Sequence, residues 1–197
     1  MTLSIILSMS VFALAASISP GPVNLVCLST GIRHSICQGL IFVTGATLGF
    51  VVLFLCIGLG LHSLFTRLPG FERWLGWAAV AFLLYLSYRL ARDDGRVPED
   101  GSEGSAGFFT GALMQWLNPK AWLASAAGTG AYTNAGEPVL IWLFAALYLP
   151  ICWLSLSCWV YAGAFLRHWV RQPQVLRHIN RTLAALLAAS CALFLFG

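Results

Sequence analysis

The stretch GSAGFFTGALMQWLNPKAWLASAAGTGAYTNAG, residues 104–136, holds a single charged residue, Lys120, in 33 positions. A helix needs ~20 residues to cross the ~30 Å hydrocarbon core of a bilayer, so this run is long enough to span one. Two features set it apart from an ordinary span. Asn118-Pro119 interrupts it, because proline lacks an N–H and clashes with the preceding turn. Lys120 has 16 residues of the run on either side, which puts it near mid-membrane. A lysine there costs roughly 2.5–3.5 kcal/mol even on insertion scales, and the ~10 Å to the interface exceeds the reach of its stem. The plainer alternative is an interfacial lysine on a tilted or re-entrant helix; the functional one is a positive site at the centre of a pore.

Working outward, Ser19-Pro20-Gly21-Pro22 interrupts the uncharged run 1–32, and Pro20 stands 99 residues before Pro119. Two prolines around a glycine open a helix, leaving carbonyls without donors before the break and free N–H groups after it. Such a break must face protein or a water-filled cavity. One break alone is readily a packing kink; two at matching positions mark an internal repeat of the kind transporters carry. The uncharged spans run 32, 32 and 15 residues in the first half and 33, 29 and about 16 in the second. Three spans per half is an odd number, so the second half is inverted relative to the first. The expected fold is an all-α integral membrane protein of six transmembrane helices in two inverted three-helix repeats, with helices one and four broken. Its parts are a first repeat (1–91), a loop rich in charge, Gly, Pro and Ser (92–106) and a second repeat (107–197).

Composition agrees. Of 197 residues, 59% are hydrophobic and 9% charged, against ~25% charged in soluble domains. The runs are continuously apolar, which argues against a β-barrel or a peripheral amphipathic protein. The net charge of +4 comes from residues at helix ends rather than a basic stripe, so nucleic acid is not an expected partner. Residues 3–16 resemble a signal-peptide core, but no Lys or Arg precedes them and the run continues to Ile32, so a retained helix is expected. With both termini outside, eight arginines (33, 89, 92, 96, 167, 171, 177, 181) face the cytoplasm and two (67, 73) face out, as the positive-inside rule requires.

After each break a new half-helix begins, and its N-terminal N–H groups carry partial positive charge. Two such ends and an ammonium make an anion site, which suits a carboxylate. The expected substrate-binding residues are Ser19, Pro20, Gly21, Pro22, Asn24, Gln115, Asn118, Pro119 and Lys120, with Ser125 and Thr129 nearby and Trp116 and Trp122 flanking. Asn118 is also a natural cap for the second half-helix. Gly45 to Gly49 and Gly107 to Gly111 are small-residue faces suited to helix packing.

The motifs SPGPVNL (19–25) and LNPKAW (117–122) resemble the two signatures of the lysine-exporter family, LysE/RhtB. FLLYLSYRLAR (82–92) and HINRTLAALL (178–187) are similar to that family's third and sixth segments. The resemblance implies an exporter of amino acids or derivatives in the cytoplasmic membrane, driven by protons, with residues 20–22 and 118–120 as functional positions. Where many members carry an acidic residue after the glycines of the second segment, this chain has Gly49-Phe50.

Other classes fit less well. A membrane redox carrier of similar architecture needs paired thiols, yet Cys27, Cys37 and Cys56 map at the 99-residue offset onto Ala126, Gly136 and Ser155. A metal-cation exporter needs carboxylates within its spans, and these spans have none. No nucleophile–base pair or metal-ligand spacing suggests an enzyme, a cofactor or a bound metal. Without an intramembrane carboxylate to hold a second ammonium, the expected substrate is a neutral amino acid.

Overall fold

The computed structural model describes residues 3–61, 107–133, 138–169 and 173–196, with scattered positions between 77 and 92. Every regular element among them is helical: α1 (Leu3–Ile18), α2 (Pro22–Arg33), α3 (Ile36–Cys56), α4 (Phe108–Trp116), α5 (Pro119–Tyr132), α6 (Pro138–Trp169) and α7 (Pro173–Phe196). Helices over Ile36–Gly60 and Pro138–Arg167 are long and apolar enough to cross a bilayer. The pair α1–α2, bent by 60° at its break, makes a third such span if taken as one. The expected third span (74–88) lies largely outside the described residues, as does all of the 92–106 loop except Arg92.

Local chemistry sets the boundaries. Pro22 and Pro119 each open a helix, where the missing N–H costs nothing. Ser35 starts α3 through a reciprocal capping box with Gln38, at 3.2 and 3.3 Å. α3 runs on into a π-helical turn, Ile57–Leu61, whose Gly60 sits at φ 104°, a conformation that favours glycine. Pro150 lies inside α6 without ending it. α7 begins at Pro173, and exposed Arg177 and His178 form part of its first turns.

The outer faces remain apolar. Leu3, Leu7, Val11 and Leu14 of α1 and Leu154 and Phe165 of α6 are exposed, as suits helices that face lipid. Inside, small residues let backbones approach. A Cβ on Gly45 would fall 1.9 Å from the Phe108 carbonyl oxygen, and one on Gly111 2.3 Å from that of Phe42; these contacts lock α3 to α4. Gly31 and Gly163 do the same for α2 and α6, at 2.1 Å from Val160 O and 2.2 Å from Leu28 O. Gly107, expected in the same role, has open space beside it. Arg167 of α6 also grips the C-terminal end of α2, donating from Nε to Ile32 O at 2.8 Å and from Nη2 to the carbonyls of Gly31 and His34. Beside these seams Phe50, Phe54, Phe144 and Tyr148 stack into an aromatic core. α6 therefore braces α2 directly behind the first break.

Candidate functional site at the two helix breaks

A carbonyl released by a helix break needs a donor, since neither lipid nor apolar side chains supply one. At the first break each carbonyl from Ala15 to Pro20 has found one. Ser19 serves two of them, its N–H donating to Ala15 O and its Oγ to Ala16 O, both at 3.3 Å. Asn24 Nδ2 reaches back across the break to Ser17 O at 2.9 Å. The remaining donors come from the other half of the chain: Trp159 Nε1 to Ile18 O at 3.1 Å, and Lys120 Nζ to Ser19 O at 2.5 Å and Pro20 O at 3.5 Å. The Lys120 ammonium thus lies on the carbonyls of the opposite break. On the far side of that break, Gly21 precedes α2 with an extended backbone, and no side chain caps the new helix.

The second break is organised locally. Asn118 Oδ1 accepts from the Lys120 backbone N–H at 3.2 Å and caps α5. Its Nδ2 donates to Gln115 Oε1 at 3.4 Å, and its N–H to Gln115 O at 3.2 Å. Trp122 Nε1 closes the arrangement by donating to Trp116 O at 2.7 Å.

Between the breaks lies a cavity of about 30 Å³, room for about two waters. Its polar lining comprises Ser17, Asn24, Gln115, Asn118, Lys120, Tyr148 and Cys152; Val23, Phe50 and Leu156 are among its apolar walls. A Cβ on Gly21 would stand 3.0 Å from Lys120 Cδ and 3.2 Å from Nζ, so the bare backbone here lets the ammonium in. The nearest formal charge to any ligand in this cavity is therefore the Lys120 ammonium, backed by the uncapped N-terminus of α2.

Of the residues singled out from sequence, Asn24, Gln115, Asn118 and Lys120 line this cavity together. Ser19 and Pro20 contribute carbonyl oxygens, and Pro22 and Pro119 begin their helices. Ser125 and Thr129 do not line it; Ser125 is fully buried, and Thr129 Oγ1 bonds back to Ser125 O at 2.8 Å. Trp116 and Trp122 pack edge to face at 6.4 Å and serve the second break. Among the lining residues that escaped the sequence reading are Ser17, Phe50, Tyr148 and Cys152. Ser17 sits two residues before the quoted motif. Tyr148 and Cys152 are four apart, hence on one helix face, but an apolar span offers many such pairs. Phe50 follows Gly49, at the place where the resemblance led one to look for a carboxylate.

Comparison with known proteins gives a consistent result. A family model described as LysE type translocator matches residues 14–197. The chain is 28% identical over 200 residues to a cysteine/O-acetylserine efflux protein of Escherichia coli (strain K12), covering 100% of both chains, and equally to its namesake in Shigella sonnei. A counterpart in Shigella flexneri is 28% identical over 189 residues, 94% of each chain. No solved structure matches.

Proposed function

We propose a function from one premise: the chain belongs to the LysE type translocator family. It is a membrane translocator and not an enzyme. We read its cargo as a small neutral amino acid or derivative, exported across the cytoplasmic membrane. Cysteine and O-acetylserine lead the candidates, because relatives so named align over its whole length. The apolar wall at Phe50, and the lack of any carboxylate within the spans, favour a neutral side chain over a second ammonium.

One observation carries this reading: the Lys120 ammonium rests on the Ser19 and Pro20 carbonyls at the edge of a polar cavity. A zwitterion offers both of the groups such a site exchanges. Its carboxylate takes Lys120 Nζ and the N–H groups at the start of α2, and its ammonium replaces the lysine on the two carbonyls. A cavity of about 30 Å³ is too small for an amino acid, so binding separates the breaks and drives the change of access. In our reading that change is a rocking of two inverted three-helix repeats, 1–91 and 107–197, joined by the 92–106 loop. Protons are the coupling ion, and Lys120 is the titratable group at the site. Both termini face outward, as the arginine distribution favours.

Counterflow into proteoliposomes, with labelled cysteine, O-acetylserine, alanine and lysine, tests the proposal. The first two should exchange fastest and lysine least. Exchange of none of them would overturn the assignment. An impermeant thiol reagent, used on cysteines engineered into the loop, tests orientation; labelling from outside intact cells would reverse it.

A further inference from the structure

The carboxylate and ammonium of the substrate account for Lys120 and the first break, but not for the opposite polar wall. Ser17 is 7% exposed and lines the cavity. No partner meets hydrogen-bond geometry at its Oγ among the described residues, and Tyr148 and Cys152 are its polar neighbours. Leaving a buried hydroxyl unpaired costs roughly 1–3 kcal/mol, a penalty that a ligand bringing a partner removes. Cys152, 3% exposed, lines the same cavity. Thr47 Oγ1 donates to its sulfur at 3.9 Å. Phe50 and Leu156 are apolar members of the same lining.

We propose that Ser17 and Cys152 form the substrate's side-chain subsite, selecting amino acids that carry a hydrogen-bonding atom at the γ position: a thiol, a hydroxyl or an ester oxygen. This rests on the reading of the cavity as an amino-acid site and adds what discriminates among neutral substrates. Ser17 is well placed for the task, because its own carbonyl holds Asn24 and its backbone position is thereby tied to the first break. A pocket that hydrogen-bonds a polar substrate atom rejects the analogue lacking it, since its own groups are then left unpaired.

The test compares counterflow of cysteine with that of 2-aminobutyrate, which replaces the thiol by a methyl of similar size. Purified full-length protein in proteoliposomes should prefer cysteine by about tenfold or more in kcat/KM. Ser17→Ala and Cys152→Ala should each bring that ratio close to one, mainly by raising KM for cysteine. Cys152→Ser, which keeps a donor and acceptor, should retain most of the preference. The ratio is taken within each preparation, so it is independent of how much protein folds. Exchange that persists with an unchanged ratio in both alanine variants would overturn the subsite and leave the amino-acid site standing. A wild-type protein that exchanges no amino acid would instead overturn the proposed function itself.

Discussion

At the first break, between Ile18 and Pro22, the carbonyls of Ile18, Ser19 and Pro20 take their donors from Trp159 and Lys120, 100 or more residues away in the chain. At the second, between Trp116 and Pro119, the hydrogen bonds are made among residues 113–122. Both breaks contain proline and both interrupt an apolar run, yet the bonds at one are made locally while those at the other come largely from the opposite half. A break satisfied from across the molecule acts as a joint: it cannot move unless its distant donors move or are replaced. The self-contained break can travel as a rigid piece, carrying Lys120 with it. The Lys120 side chain is thus the link between the two breaks, the donor held by one break and its acceptors by the other.

The largest way to break this comparison is to remove that donor. Lys120→Met should lower amino-acid counterflow by about a hundredfold, as loss of a charge-assisted contact of roughly 3 kcal/mol implies. It should also lower the thermal midpoint in detergent, because Ser19 O and Pro20 O lose their donor. Lys120→Arg keeps the charge but puts a bulkier fork against Gly21, so counterflow should stay low while stability recovers in part. Near wild-type exchange by Lys120→Met would show that the ammonium is structural only. Next in size are the two asparagines. Asn24→Ala leaves the buried Ser17 carbonyl unpaired and should cost roughly 1–3 kcal/mol, read as a lowered midpoint together with slower exchange. Asn118→Ala removes a helix cap worth about 1 kcal/mol; Asn118→Ser, which can still cap, should restore the midpoint. Rescue of Asn118 by serine but not of Asn24 would sharpen the distinction between a local cap and a brace across a break. Gly21→Ala should reduce exchange severalfold by crowding Lys120 Nζ at 3.2 Å, whereas Gly107→Ala, with nothing within 4 Å, should be silent.

Much of this was legible in the sequence because membrane chains advertise their exceptions. A lone lysine and a Pro-Gly-Pro in uncharged runs stand out against a uniform background, and helices do begin at Pro22 and Pro119. The glycine face at 45–49 was also readable, since close helix packing requires the absence of a side chain. The cavity's other wall was not. Ser17, Tyr148 and Cys152 become a site only when α6 crosses behind α1 and α2, and nothing in their own neighbourhoods fixes that crossing. The division of labour between the breaks was hidden for the same reason: Trp159 reads as one more interfacial tryptophan until its indole is found on Ile18 O.

The smallest effect separates the two tryptophans that close the breaks. Trp122 Nε1 bonds to Trp116 O within the second break at 2.7 Å, and Trp159 Nε1 bonds to Ile18 O across the halves at 3.1 Å. Phenylalanine keeps most of the apolar bulk at either site and deletes one donor, so each change should cost about 0.5–1.5 kcal/mol. If the first break is a joint and the second a rigid piece, their consequences diverge. Trp122→Phe should lower the thermal midpoint and leave the ratio of inward to outward accessibility of an engineered cavity cysteine unchanged. Trp159→Phe should shift that ratio by about twofold to tenfold, because the lost bond exists only while the halves are in this arrangement and roughly 1.4 kcal/mol is a factor of ten in an equilibrium. Equal shifts from both variants would mean that the second break moves as freely as the first, and that the contrast between them is one of sequence distance alone.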